Sequence, residues 1–162
     1  MNANLWEKVR KVAFEQQLDP WLLGAIVVQE SAGDPHAIRF EPGWKLFKDA
    51  EKFAKKNSIS LDTEKNQQAC SHGLCQLMGA VAREHAFQGA WAMLYGVETN
   101  LTLGAMHLKK FLRRYGGDEV QAIVSYNAGS PRLNAEGRYV NEAYLISVQK
   151  HRDKLKISFK GV

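Results

Sequence analysis

Residues 21–28 read Trp-Leu-Leu-Gly-Ala-Ile-Val-Val, a stretch without one polar side chain. Asp19-Pro20 stands directly before it, an N-cap residue followed by a proline at the first helical position. Gly33 and Pro35 close it. The pattern predicts a helix from Pro20 to about Ser31. A helix that is apolar all round must be buried, so the rest of the chain has to supply a shell around it.

The remaining periodicity supplies that shell, and it is nearly all helical. Residues 3–17 read as an amphipathic helix with Leu5, Val9 and Val12 or Ala13 on one side. Val97 to Tyr115 carries the clearest pattern, with Val97, Leu101, Gly104, Ala105, Leu108, Phe111, Leu112 and Tyr115 recurring on one face, and Gly116-Gly117 stops it. Asp118 caps a second, largely apolar helix that ends at Gly129. A last helix is expected over 139–155. Residues 44–57 predict an amphipathic surface helix with Trp44, Phe47 and Phe53 inward and Lys45, Lys48, Lys52, Lys55 and Lys56 outward. The stretch 58–76 reads as a loop with a helical turn near 62–69, followed by a helix from Leu77 to His85. There is no repeat, low-complexity tract or linker, so residues 1–162 are expected to form a single domain.

Composition narrows the class. The chain has 22 Lys and Arg against 17 Asp and Glu, a net charge of +5 that suits attraction to an anionic polymer. At 45% hydrophobic content it can fold without metal or disulfide staples. Cys70 and Cys75 are the only cysteines, too few for a structural zinc site. The start MNANLWEKVRK lacks the features of a signal peptide, and no apolar run is long enough to span a membrane. Synthesis in the cytoplasm is the expectation, with both thiols reduced. The five histidines show no metal-binding spacing, and no phosphate-binding glycine loop occurs. No cofactor or metal is expected, no nucleic-acid partner, and a monomer.

Both apolar helices end in polar residues: Gln29-Glu30-Ser31 in one, Ser125-Tyr126-Asn127 in the other. Glu30 is the sharpest chemical candidate. It shares a helix face with Leu23 and Val27, and burial against such walls disfavours a carboxylate. The negative end of the helix dipole acts in the same direction. A carboxyl still protonated near neutral pH is suited to general acid catalysis.

Three blocks then occur in order: Glu30-Ser31-Ala32, Gly73-Leu74-Cys75-Gln76-Leu77-Met78, and Tyr126-Asn127-Ala128-Gly129. With Asn100, Gly104 and Ala105 between them and Tyr144, Leu145 and Val148 after them, the chain over about residues 15–150 resembles the lytic transglycosylase family. The resemblance implies a mainly α, lysozyme-like helical domain with a substrate cleft, acting on peptidoglycan glycan strands. It implies Glu30 as the catalytic acid, with Gln76, Met78, Tyr126, Asn127 and Tyr144 as saccharide-binding residues. Two positions depart from the pattern. Arg39 stands where many members have a Ser that orients the catalytic carboxylate, and Ser71 is the candidate replacement. An Arg beside Glu30 would oppose the acid role, so Arg39 is expected to point elsewhere. Cys75 replaces a methionine of the family block. The segments 36–42 and 71–74 resemble the bacteriophage branch, whose members are virion-borne or endolysin-type enzymes that reach the wall from a particle or through the periplasm.

An inverting hydrolase would need a second carboxylate, and Asp34, Glu41, Asp62 and Glu64 are the candidates. With Glu30 alone the expected reaction is non-hydrolytic, forming 1,6-anhydromuramic ends. A lysozyme-type muramidase and a non-catalytic wall-binding virion protein are the alternatives.

Overall fold

The computed structural model describes residues 1–160; Gly161 and Val162 of the expected domain lie outside the described residues. In chain order the elements are α1 (Ala3–Gln16), α2 (Pro20–Ser31), β1 (Ile38–Phe40), α3 (Ala50–Lys56), α4 (Leu61–Gln68), β2 (Cys70–His72), β3 (Leu77–Met78), α5 (Gly79–Glu84), a 3-10 turn (Trp91–Tyr95), α6 (Val97–Arg114), α7 (Glu119–Ala128) and α8 (Glu142–Ser158). The mainly helical class expected from the periodicity is the observed one. Among the described residues the backbone gathers into two compact units: residues 1–29 with 105–160, and residues 30–104.

The first unit is an apolar helical core. Leu22, Ala25 and Ile26 of α2 cluster with Leu108 and Phe111 of α6, Ala122, Ile123 and Val124 of α7, and Leu145, Val148 and Leu155 of α8. Each buried Leu, Ile or Phe of this kind contributes about 1.5–3 kcal/mol relative to exposure. Gly24 shows why the apolar run contains a glycine. A Cβ there would lie 2.9 Å from Cζ3 of Trp6 and 3.1 Å from Cδ1 of Leu155. The missing side chain admits the Trp6 ring, which stacks on Trp21 and Phe159 at centroid distances of 4.6 and 5.1 Å. At the helix starts, Arg152 of α8 bonds Glu119 at 2.7 Å and also pairs with Asp19, whose other oxygen caps α2 through Trp21 N at 2.9 Å.

The second unit is built differently. β1, β2 and β3 form an antiparallel sheet in that order, pairing Arg39 with Ser71 and Ser71 with Met78. Its core contains charge. Glu64 and Arg83 are 0% and 2% exposed and pair through both carboxylate oxygens at 3.0 Å. Gln68 Nε2 and Trp91 Nε1 donate to the same carboxylate at 2.9 and 3.0 Å. Arg83 also donates to the carbonyls of Phe87 and Gly89 and lies over the rings of Trp91 and Phe53, 4.1 and 4.3 Å from their centroids.

The sequence expectations need correction here. The helix expected over 44–57 forms only from Ala50 to Lys56, so Trp44, Phe47, Lys45 and Lys48 lie outside it. Trp44 and Phe47 are half-buried, while Phe53 is in the core as expected. The stretch read as a loop contains the whole of α4 and the strand β2, and the helix expected from Leu77 starts at Gly79, after the strand β3. Alternation cannot be seen in strands of two or three residues, and α4 buries Glu64 and Gln68 where periodicity looks for apolar side chains.

Candidate active site

Glu30 lies in the last turn of α2, half-buried, next to a firmly anchored helix end. Ser31 Oγ donates to the carbonyl of Leu74 at 2.9 Å and accepts from Gly33 N at 3.1 Å. Ala32 then takes the left-handed conformation, φ 53°, which stops the helix. The residue after Glu30 is thus tied to the Gly73–Met78 loop within the second unit.

That loop is itself clamped from within. Asn100 is fully buried; its Oδ1 accepts from Cys75 N at 2.8 Å, and its Nδ2 donates to the carbonyls of His72 and Leu94 at 2.9 and 3.0 Å. Gly73 is required beside it: its φ is +67°, and a Cβ would fall 2.6 Å from Asn100 Nδ2. Gln76 takes a left-handed φ of 44°, and its Nε2 donates to the main-chain carbonyls of Ala37 and Gly73 at 3.1 and 2.9 Å. A carbonyl cannot donate, so these two acceptors fix the amide's orientation. A glutamine amide can both donate and accept. Here its donor end is spent on these two main-chain carbonyls, which leaves Oε1 outside these bonds.

Ser71 and Met78 are directly opposed across β2 and β3, with Ser71 Oγ donating to Met78 Sδ at 3.2 Å. Arg39 opposes Ser71 on the other side. A hydroxyl thus sits one strand over from the position where the family resemblance led one to look for it. The Arg39 guanidinium turns to Glu41, with Nε donating to Oε1 at 2.6 Å. Cys70 and Cys75 are both free thiols and both buried; Cys70 Sγ donates to the carbonyl of Asn66 at 3.2 Å. Burial, and secondarily the charge of Glu41, pushes the Cys70 thiol up. His72 is buried between Tyr95 and Gln67. Its Nε2 donates to the Gln67 carbonyl at 2.8 Å, which leaves Nδ1 to accept from the Tyr95 hydroxyl at 3.0 Å. Desolvation lowers its pKa, opposed by the bond to Gln67.

The other expected site residues belong to the first unit. Tyr126, half-buried near the end of α7, meets the buried His107 ring at 5.2 Å and 64°, and His107 meets Phe111 at 4.9 Å and 75°. These edge-on contacts are the favoured aromatic geometry. Asn127 Oδ1 accepts from Asn141 Nδ2 at 3.0 Å, and the same Nδ2 donates to the Val124 carbonyl at 2.9 Å. Tyr144 lies in the first turn of α8, where its N donates to the Asn141 carbonyl at 2.9 Å. Among the described residues, no group of three or more His, Cys, Asp or Glu is placed to hold a metal ion.

The profile of the Transglycosylase SLT domain matches residues 7–144, well over half of the chain. The chain belongs to this family. Its mainly helical fold is the lysozyme-like fold of the SLT transglycosylases, and its general activity is that of a lytic transglycosylase on peptidoglycan. No curated protein sequence matches the chain. Among the described residues, no helix of this SLT domain is long and apolar enough to cross a membrane.

Two side chains of this SLT domain escaped the sequence reading. Arg83 opens the polar run Arg83-Glu84-His85 at the end of the helix expected over 77–85, and gave no sign of burial. Asn141 falls inside the helix expected over 139–155; in the structure it stands at the N-cap position of α8, yet it makes no side-chain cap bond to that helix. Its amide reaches back to α7 instead.

Proposed function

We propose that Glu30 is the one catalytic acid/base of a lytic transglycosylase that cleaves the β-1,4 bond between N-acetylmuramic acid and N-acetylglucosamine. The observation that carries this reading is the fate of the four carboxylates that were candidates for a second catalytic group. Glu64, a candidate base for a hydrolase, is enclosed in the core with Arg83, Gln68 and Trp91 on its oxygens. Glu41 is paired with Arg39. Asp34 and Asp62 are exposed, and Asp34 Oδ1 accepts from His36 N at 2.8 Å. A reaction that needs only one carboxyl fits this inventory better than one that needs two.

In that reaction Glu30 gives its proton to the glycosidic oxygen as the C1–O bond of the muramic acid breaks. The muramic acetamide stabilises the positive charge at C1. The C6 hydroxyl of the same sugar then attacks C1, and the Glu30 carboxylate takes the hydroxyl proton. A 1,6-anhydro ring forms, no water is consumed, and Glu30 is protonated again. The internal nucleophile is favoured because it is already held beside C1. Ser71, Gln76 and Met78 in the second unit, and Tyr126, Asn127 and Tyr144 in the first, are the proposed saccharide contacts. The family profile draws on both units, which supports one functional domain over residues 1–162. The resemblance of residues 36–42 and 71–74 to phage-type members supports a virion-borne or endolysin setting, with action on the wall from a particle or in the periplasm, by a monomer.

Mass spectrometry of the muropeptides released from purified sacculi tests the reaction. Products lighter by one water than reducing-end muropeptides are expected. Reducing ends would establish a muramidase, and no release would establish a non-catalytic wall-binding protein. Glu30→Gln should lower the rate by at least ~10²–10⁴-fold, since an amide of the same shape cannot shuttle a proton.

A further inference from the structure

Polar recognition depends on which end of each amide faces outward, and three residues of the first unit fix that for Asn127. The main-chain carbonyl of Val124 is an unambiguous acceptor. It therefore fixes which end of the Asn141 amide points at it: Nδ2 donates to Val124 O at 2.9 Å. That same Nδ2 spends its other hydrogen on Asn127 Oδ1 at 3.0 Å. Asn127 is exposed, so with its oxygen held inward its NH₂ is the end presented to solvent. Reversing the Asn141 amide would set its oxygen against both the Val124 carbonyl and the Asn127 oxygen. The Asn141 Oδ1 is buried with no hydrogen-bond partner, so the fold tolerates an unmet acceptor in order to keep the donor end where it is.

We propose that Asn141 is a positioning residue that makes Asn127 an obligate hydrogen-bond donor toward the glycan, recognising an acceptor oxygen such as the carbonyl of an N-acetyl group. This rests on the reading of Asn127 as a saccharide contact. The Asn127 amide cannot turn to suit a donor without losing its bond to Asn141. Specificity for N-acetylated over de-N-acetylated glycan follows, because de-N-acetylation replaces an acceptor carbonyl by an ammonium group. Asn141 also supplies the carbonyl that receives Tyr144 N, so one residue ties two of the proposed contacts together.

Asn127→Asp is the informative variant. It keeps the inward acceptor for Asn141 and replaces the outward donor with an acceptor oxygen. Binding is measured by calorimetry in the Glu30→Gln background, using peptide-free glycan oligomers from sacculi and the same oligomers after chemical de-N-acetylation. With Asn127→Asp, affinity for the N-acetylated oligomer should fall about tenfold and affinity for the de-N-acetylated oligomer should rise. Asn141→Asp places an oxygen against two acceptors, so it should lower both Tm and affinity for the N-acetylated oligomer. Asn141→Gln, which keeps the amide, should recover part of the affinity. Unchanged preference in Asn127→Asp overturns the proposal. Unchanged affinity in Asn141→Asp overturns the positioning role. If Glu30→Gln alone binds neither oligomer, the saccharide-contact reading fails and takes this inference with it.

Discussion

The two compact units solve the problem of a stable interior in opposite ways. In the first, α2, α6, α7 and α8 bury Leu, Ile, Val, Ala and Phe against one another. In the second, the interior holds a carboxylate, a guanidinium, a glutamine amide, an imidazole and an asparagine amide, each with named partners. The difference teaches what each interior is good for. Apolar packing is non-directional and tolerates substitution at similar volume. A satisfied polar network fixes atoms in one arrangement. The segments that follow Glu30 and carry Gln76 are irregular backbone with left-handed turns at Ala32, Gly73 and Gln76. Such backbone needs directional partners, and Ser31, Asn100 and Gln76 supply them.

The largest effect on stability should come from breaking the charged interior. Arg83→Met leaves the Glu64 carboxylate buried without its partner, and removal of one member of a buried pair costs about 3–5 kcal/mol. Chemical denaturation should show that loss. Replacing both members, Glu64→Leu with Arg83→Met, should cost markedly less than Arg83→Met alone, because no uncompensated charge remains. A double variant as unstable as the single one would mean that the other bonds of Arg83, to Phe87 and Gly89, outweigh the ion pair.

In the first unit the matching experiment is Ile26→Ala. Ile26 is fully buried in the α2 cluster, and such truncations cost about 2–5 kcal/mol depending on how far the site collapses. Gly24→Ala acts in the opposite sense by adding a methyl against Trp6, and should cost about 1–3 kcal/mol by overpacking. If Gly24→Ala proves neutral by thermal denaturation, the Trp6 ring is freer to shift than its stacking on Trp21 and Phe159 suggests.

This contrast also decides what the sequence makes legible. The helices of the first unit are visible because period and burial coincide. The apolar run of α2 and the caps at Asp19, Asp118 and Gly129 set boundaries that the structure reproduces to within a residue or two. The second unit hides its elements. Its strands are too short to alternate, and in α4 the inward residues are Glu64 and Gln68, which a hydrophobicity pattern places outside. Among the site residues, Glu30 stands out because a polar residue follows an apolar helix. The orientations of the Gln76 and Asn127 amides could not be read. They depend on carbonyls of Ala37, Gly73 and Val124 and on an amide at Asn141, distant in sequence and without a motif.

A smaller effect should appear with pH. Burial lowers the proton affinity of His72, while the unfolded chain keeps the ordinary value of about 6.5. Between those two values the unfolded state binds more protons, so stability rises with pH. The contribution is fully present above about pH 6.5 and is lost as pH falls through the folded value. His72→Gln should therefore flatten the dependence of Tm on pH between about 7 and 5, above the range where most carboxylates titrate. His151 of the first unit is shifted the same way, by desolvation and then by the Lys154 charge. It is the control: its half-exposed ring should alter the slope less than His72. An equal change from His151→Gln would place the sensitivity in both units.

The smallest expected effect concerns where the charge lies. The basic face expected of the 44–57 segment is one candidate surface for holding the anionic wall polymer. Counted by unit, the excess is elsewhere. The first unit has 14 Lys and Arg against 8 Asp and Glu, and the second has 8 against 9. Their net charges are +6 and −1, so the whole excess belongs to the first unit. Within the second unit the charge of Lys48 is offset locally, 3.4 Å from Asp49. Peptidoglycan stems carry carboxylates, so the unit with the uncompensated charge should contribute more to holding sacculi. Charge reversal at Arg113, Lys150 and Lys154 should therefore weaken sedimentation with sacculi more than reversal at Lys52, Lys55 and Lys56, although both triple variants change the net charge equally. The gap should be widest at low ionic strength and close as the screening length shrinks to about 8 Å at physiological salt and below that at higher salt. Equal loss from the two triples would mean that only net charge matters. A greater loss from the Lys52 triple would make the lysines of α3 the holding surface.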